Sequence, residues 1–99
     1  MATRAMIADT TVRLLAPYDP HRLTLAIYNN GSNVAFISKD PTEVTTNGWP
    51  ILPNGGISFT KRDGDEPEGP WYVQLLTGTT DLRIVEGFGP VTPRPAEVT

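Results

Sequence analysis

Proline and glycine are spread so evenly along this chain that they leave little room for helices. The sequence contains ten prolines and nine glycines among 99 residues. No window of a dozen residues keeps an uninterrupted helical pattern with a cap at each end. Because both residue types interrupt helices but are common in the turns between strands, this spacing favours a mostly β fold.

Short segments of alternating polarity lie between these turn residues. The segment RLTLAIYN, which begins at Arg22, places its aliphatic side chains on one face, because residues two apart in a strand point the same way. The next pair, Asn30-Gly31, is typical of a type I′ turn. We therefore predict a β-hairpin over residues 22–38, followed by the break at Pro41.

A second hairpin is predicted over residues 71–86, where WYVQLL and DLRIVE alternate on either side of the turn TGTT. TTVRLLA, TEVTT and GISFTK add further short strands. The sum of about six or seven strands predicts an all-β fold, a small antiparallel β-sandwich or jelly-roll-like barrel. The predicted core positions are Leu23, Leu25, Ile27, Phe36, Phe59, Val73, Leu82 and Ile84.

The composition excludes several classes of protein. A formal net charge of −3 with scattered basic residues gives no patch for nucleic acid. The absence of cysteine excludes a disulfide framework and a thiolate site. No apolar segment is long enough for a signal peptide or a membrane helix, so we expect a soluble single domain made in a cytoplasm, without a membrane partner.

No group of residues has the spacing of a catalytic or metal site. His21 is the one histidine, and no Gly-x-Ser-x-Gly elbow supplies a nucleophile. The acidic run DGDEPEG, residues 63–69, lacks the ligand spacing of an EF-hand, so we favour a solvated loop over a calcium site. We therefore expect no enzyme activity, no cofactor and no metal.

Trp49 is the aromatic residue that alternation explains least well. It stands between Gly48 and Pro50, outside any alternating segment. It could cap one end of the sandwich or contact a partner. Trp71, by contrast, is in phase with apolar residues of its strand, which favours packing against the core.

Within residues 22–86, strand and turn residues follow one another in a characteristic order that runs through three segments. They are RLTLAIYNNGSNVAFIS, VTTNGWPILPNGGISF and WYVQLLTGTTDLRIVE. This order resembles that of small β-sandwich virion proteins encoded among the head genes of tailed bacteriophages. The matching positions are Arg22, Asn29, Gly31, Asn47, Gly48, Leu52, Pro53, Gly55, Gly78, Thr79, Arg83 and Glu86.

The resemblance implies a non-enzymatic capsid decoration or cement protein on the capsid surface of the virion. Its partner would be the major capsid protein, and it would form a homo-oligomer on the particle, for example a trimer. It also implies that Asn47-Gly48 and Asn54-Gly55 set two turns of a rigid crossing between sheets. The residues we expect to contact a partner are Trp49, Pro50, Pro53, Arg4, Phe88 and Arg94.

The two ends of the chain differ in pattern from its middle. We predict an N-terminal arm over residues 1–9, a β-sandwich domain over residues 10–86 and a Gly/Pro-rich C-terminal tail over residues 87–99. In a particle, both ends could lie along neighbouring subunits.

A receptor- or glycan-binding module of a phage tail or fibre is the alternative function. It would use the aromatic side chains of Trp49, Tyr18 and Tyr28. An enzyme is the third and least favoured class, because the sequence offers no catalytic set.

Overall fold

The structure is a computed structural model that describes residues 2–90. Its secondary structure is almost entirely β, with one short α-helix, α1, at Val44–Asn47, and one turn of 3₁₀-helix at Lys61–Asp63. The strands are β1 Ala2–Ala8, β2 Arg13–Ala16, β3 Arg22–Asn29, β4 Ala35–Ser38, β5 Trp49–Ile51, β6 Gly56–Thr60, β7 Trp71–Gln74 and β8 Thr80–Phe88.

The strands form two antiparallel sheets of four strands each. The first sheet has the order β1-β8-β3-β6, and the second has the order β2-β7-β4-β5. The chain changes sheet at every connection between consecutive strands except that between β4 and β5, which gives the strand order of a jelly roll. The predicted all-β sandwich is therefore confirmed, with eight strands in the described residues rather than six or seven.

Both predicted hairpins are wrong, because the strands of each lie in different sheets. β3 pairs with β6 and β8, whereas β4 pairs with β5 and β7. Gly31 does not have the positive φ of a type I′ turn. It is placed instead where a β-carbon would collide with the hydroxyl of Thr80. The same separation holds for β7 and β8.

The core lies between the two sheets. Leu25, Ile27, Val73, Leu82 and Ile84 are buried as predicted. The assignment of faces on β4 was wrong, since this strand buries Ala35 and Ile37 and leaves Phe36 half-exposed. A register shift between Arg22 and Thr24 also leaves Leu23 half-exposed and turns Arg22 into the interior. Phe59 packs against the core and stacks on Trp71.

Two segments have a different structure from the one predicted. The segment TEVTT does not form an edge strand, because its last three residues belong to α1, in which Val44 is buried. Asp40 begins this turn, because its carboxylate accepts hydrogen bonds from the backbone N–H and the hydroxyl of Thr42. Most of the predicted arm over residues 1–9 is not free, since Ala2–Ala8 is strand β1 and pairs with β8 along its whole length.

The sandwich extends beyond the predicted boundary between residues 86 and 87. β8 continues through Gly87 to Phe88, because these residues pair with β3. The remainder of the predicted tail, residues 91–99, lies outside the described residues, and so does Arg94.

A buried ion cluster closes one end of the sandwich. The carboxylate of Glu86 accepts hydrogen bonds from Arg22 at 2.9 Å and from Arg4 at 2.8 Å. The Arg22 guanidinium also donates to the carbonyl of Pro17, in the connection between β2 and β3, and to that of Pro67, in the connection between β6 and β7. The cluster therefore holds two loops that cross between the sheets.

A neutral amide cluster closes the opposite end, around Asn29. Its amide nitrogen donates to the carbonyls of Asn33 and Ile51, at 2.7 and 2.9 Å. Its amide oxygen accepts from the N–H of Gly31 and from the hydroxyl of Thr80. Within residues 2–90, every buried side-chain nitrogen and oxygen atom has a hydrogen-bond partner. Asn29 thus links the connection between β3 and β4 to the last residue of β5 and the first residue of β8.

Candidate interaction surface

One outer face of the sandwich is largely apolar. In the second sheet, Phe36 is in register with Gln74 on β7 and with Pro50 on β5. These side chains point away from the core, because they alternate with buried residues of the same strands. The adjacent row of outward side chains consists of Leu14, Tyr72 and Ser38.

The apolar area continues beyond the ends of β4 and β7. Val34 and Leu76 line a groove together with Phe36, and the side chain of Leu76 is 65% exposed. We call this surface the second-sheet face. It consists of Leu14, Val34, Phe36, Ser38, Pro50, Tyr72, Gln74 and Leu76. Among the described residues that form it, none is charged, and depletion of charge with enrichment of aromatic and aliphatic groups is typical of the centre of protein interfaces.

Trp49 and Pro50 lie on β5, the edge strand of the second sheet, where Pro50 belongs to the second-sheet face and Trp49, in register with the buried Ile37, points to the opposite side. Trp49 is 64% exposed, and Leu52 beyond the end of the strand is 61% exposed. Ile51 between them is buried and anchors the strand. The turn that follows brings the chain to the first sheet, with Asn54 in the left-handed conformation at φ 61° and Pro53 half-buried.

The predicted crossing between sheets is therefore present, with one difference. Asn54-Gly55 lies in a turn, where Gly55 donates to the carbonyl of Leu52. Asn47-Gly48 is not a second turn of this kind, because Asn47 ends α1 and Gly48 is extended. The rigidity of this segment comes from α1, the pairing of β5 with β4 and the buried Ile51.

The other expected contact residues lie away from this face. Arg4 is on β1, and its guanidinium is held by Glu86 and by the carbonyl of Leu15. Phe88 ends β8, is 46% exposed and lies 5.8 Å from the Arg22 guanidinium. The structure thus brings together Trp49 and Pro50, with Pro53 in the next turn, but separates Arg4 and Phe88 from them.

The outer face of the first sheet has a different chemistry. Small side chains such as Ala26 and Ser58 surround Tyr28 there. Arg83 on this face donates to Asp81 at 2.8 Å. The hydrogen bonds from Arg83 and then from Asn30 hold the pKa of Asp81 below its usual value. This face therefore carries a charged pair and small side chains, whereas the second-sheet face carries larger apolar ones.

Further exposed ion pairs lie outside both faces. Arg13 on β2 donates to the carboxylate of Asp9, and this hydrogen bond lowers the pKa of Asp9. Hydrogen bonds from Thr42 lower the pKa of Asp40 in the same way. The ion pair of Arg13 with Asp9 contributes little to stability, because both partners are well solvated.

The described residues show no cluster of metal-binding side chains. No set of three or more His, Cys, Asp or Glu side chains within residues 2–90 is arranged to hold a metal ion. His21 lies at the surface with its Nδ1 atom 3.1 Å from the carbonyl oxygen of Gly89. In the acidic run, Glu66 pairs with Lys39 and Glu68 pairs with Lys61.

The aromatic residues considered for glycan binding do not share one surface. Trp49 lies on the edge strand β5 of the second sheet, and Tyr28 lies on the outer face of the first sheet. Tyr18 is 62% exposed in the connection between β2 and β3. A sugar-binding platform requires rings that lie side by side, so the alternative function gains no geometric support.

Sequence patterns do not predict most residues of the second-sheet face as contact residues. Alternation predicts Phe36 to lie in the core and gives no reason to expect contacts from Val34 and Leu76. A signal was present in the two apolar runs Val34–Ile37 and Leu75–Leu76. When a strand of a two-layer sandwich is apolar on both faces, one of those faces must be outside.

No family model, no curated protein and no solved structure matches this chain. Within residues 2–90, none of the helices is both long enough and apolar enough to cross a membrane.

Proposed function

We propose that this protein is a non-enzymatic virion structural protein that decorates or cements a capsid by binding its major capsid protein. The observation that carries this proposal is the uncharged second-sheet face beside the exposed edge strand with Trp49. The resemblance of residues 22–86 to phage head proteins supplies the partner, since a jelly-roll fold alone is shared by proteins of many functions.

The chemistry of the face suits permanent attachment to another protein. Leu76 and Leu14 expose 65% and 49% of their surface, and Tyr72 and Phe36, with the uncharged Gln74 beside it, belong to the same face. Contiguous apolar surface of this kind marks interaction sites on soluble proteins. The strands below it are paired and packed on the core, so little conformational entropy is lost when it docks.

The proposal also accounts for Trp49 and Pro50. Both are exposed on an edge strand whose backbone is held by β4. Tryptophan is frequent among the residues that dominate binding energy, because it buries a large area while ordering few rotatable bonds. Because Trp49 is in register with the buried Ile37, its side chain lies on the opposite side of β5 from Pro50, and we expect it to contact the capsid past the edge of the sheet.

Binding to heads that lack this protein provides the test. The heads are assembled from the major capsid protein encoded by the same genome, mixed with purified full-length protein and pelleted. We expect the wild-type chain to pellet with the heads. Leu76→Glu should weaken binding about ten-fold or more, because it introduces an unpaired charge into an apolar contact.

Ser58→Glu is the matched control, since it adds the same charge to the outer face of the first sheet. It should bind heads as the wild type does. If Leu76→Glu bound as tightly as Ser58→Glu, the second-sheet face would not be the contact. If the wild-type chain bound tail fibres or glycans and not heads, the alternative function would replace this one.

A further inference from the structure

The two sheets end in four edge strands, and three of these are protected against further pairing. Natural sheets protect their edges with prolines, bulges or covering loops. β5 has Pro50 at its centre, and the register of β2 shifts between Leu14 and Ala16. On β6, the Asp65 carboxylate accepts from the N–H of Thr60, and the Asp65 N–H donates to the carbonyl of Thr60.

β1 is the edge strand without such protection. All seven of its residues pair with β8 without a register shift, and it contains neither proline nor lysine. Its outward side chains are those of Thr3, Ala5 and Ile7, none of them charged, and Ile7 is 61% exposed. Within residues 2–90, no strand pairs with the other side of β1.

Hydrogen bonds elsewhere in the first sheet show which backbone groups of β1 point outward. Asn30 donates to the carbonyl of Asp81 at 2.8 Å, so Asp81 and every second residue of β8 after it are directed toward β3. The residues of β8 between them are directed toward β1. Their partners there are Ala2, Arg4, Met6 and Ala8.

The backbone N–H and C=O groups of Thr3, Ala5 and Ile7 therefore point to the open edge. We propose that this edge pairs antiparallel with β1 of a second copy of the chain, around a two-fold axis at Ala5. In this register Ala5 faces the partner's Ala5, and Thr3 faces the partner's Ile7. All outward-directed residues then exchange backbone hydrogen bonds, about six in total. A shift by two residues would leave one outward residue of each strand without a partner.

The side chains suit this register as well. Arg4 is the one charged residue of β1, and it lies opposite the partner's Met6 rather than opposite another arginine. Its guanidinium is already paired with Glu86 and the carbonyl of Leu15, so its charge is compensated within its own chain. A strand that is complementary to itself in the antiparallel direction is what an isologous two-fold contact requires.

The proposal does not depend on the proposed function, because the β1 edge belongs to the first sheet and the second-sheet face belongs to the other. A protein that binds a capsid through the second sheet would keep the β1 edge accessible. Pairing there would link two decoration proteins on neighbouring capsid subunits. Failure of one proposal would therefore leave the other standing.

Sedimentation equilibrium of the full-length chain tests the pairing. The contact is small, so we expect a weak dimer whose average mass rises from one chain to two between about micromolar and about millimolar concentration. A single-chain mass throughout this range would overturn the proposal. It would leave the β1 edge to a strand of another protein or to residues 91–99.

Ala5→Pro removes the N–H that points at the partner on the two-fold axis, while the ladder to β8 is kept. It should weaken dimerisation about ten-fold or more, because two symmetry-related hydrogen bonds are lost. The matched control is Ser58→Pro, which removes an outward N–H on the edge strand β6, since Asn29 bonds to Gly55 and leaves alternate residues of β6 outward. The proposal fails if the control loses dimerisation equally or if Ala5→Pro retains it.

Charged substitutions at Ala5 test the register itself. Ala5→Lys and Ala5→Glu should each be largely monomeric, because two like charges would face each other across the axis. An equimolar mixture should regain the dimer, since lysine then faces glutamate. Circular dichroism confirms that each variant is folded. If the mixture remained monomeric while the wild type dimerised, the register centred on Ala5 would be wrong.

Discussion

At one end of β3, Arg22 binds a buried carboxylate, whereas at the other end Asn29 binds backbone groups and a hydroxyl. Both side chains are almost fully enclosed, with 2% and 0% of their surface exposed. Both hold loops that cross from one sheet to the other. They differ in charge, and this difference determines how much each cluster loses when a single partner is removed.

The charged cluster has little tolerance for the loss of a partner. When Glu86 is absent, Arg22 and Arg4 remain close together with no counter-ion, and Arg22 is almost without solvent. The amide cluster leaves neutral groups unpaired when Asn29 is absent, and these cost less to bury than a charge. We therefore expect the two ends of the sandwich to respond to mutation with different magnitudes.

The largest effect is expected for Glu86→Gln. This change keeps the shape of the side chain but removes the charge that neutralises Arg22, so it should lower the free energy of unfolding by about 3 to 5 kcal/mol. Urea unfolding followed by circular dichroism measures it. Glu66→Gln is the control, because Glu66 pairs with Lys39 at the surface, and it should change stability by less than about 0.5 kcal/mol. Equal effects of the two substitutions would refute the buried ion cluster.

A smaller effect is expected for Asn29→Ala. The hydroxyl of Thr80 and the carbonyl of Ile51 lose their partner, so the free energy of unfolding should fall by about 2 to 3 kcal/mol. Thr80→Val removes one hydrogen bond of the same cluster and should cost about 1 kcal/mol. The neighbouring substitution Asn30→Ala, at an exposed site, should be nearly neutral. If Asn30→Ala cost as much as Asn29→Ala, the amide cluster would not close this end.

The smallest effect is expected at the exposed pair of Asp81 and Arg83. Arg83→Gln should raise the pKa of Asp81 toward its usual value, as NMR titration of the carboxyl carbon can show. A lowered pKa stabilises the fold above the ordinary carboxyl pKa, and this contribution is lost as the pH falls through the lowered value. An unchanged Asp81 pKa in the variant would mean that Asn30 alone lowers it.

Local sequence patterns were sufficient for the class of fold and for most of the core. Alternation in β3, β7 and β8 identified Leu25, Ile27, Val73 and Ile84 as buried. It failed at β4, where both faces are apolar and alternation cannot tell which one is inside. Alternation also gave the wrong face for the start of β3. The register shift between Arg22 and Thr24 places Arg22 in the interior and leaves Leu23 half-exposed.

The candidate surface was predictable in part. Trp49 stood out because no strand pattern included it, and it is exposed beside Pro50. The rest of the second-sheet face was not predictable residue by residue, since its side chains come from four strands that are distant in sequence. Strand order decides which of them become neighbours.

Strand pairing depends on contacts between the two sheets and not on local sequence. A connection such as residues 30–34 can turn back within one sheet or cross to the other, and its residues permit both. Local sequence patterns establish where most strands begin and end and that one face of most of them is apolar. The choice between hairpin and crossing depends on partners that are far away in the chain, such as Thr80 for Asn29 and Glu86 for Arg22. These contacts form when the two sheets pack together, so no local pattern could contain them.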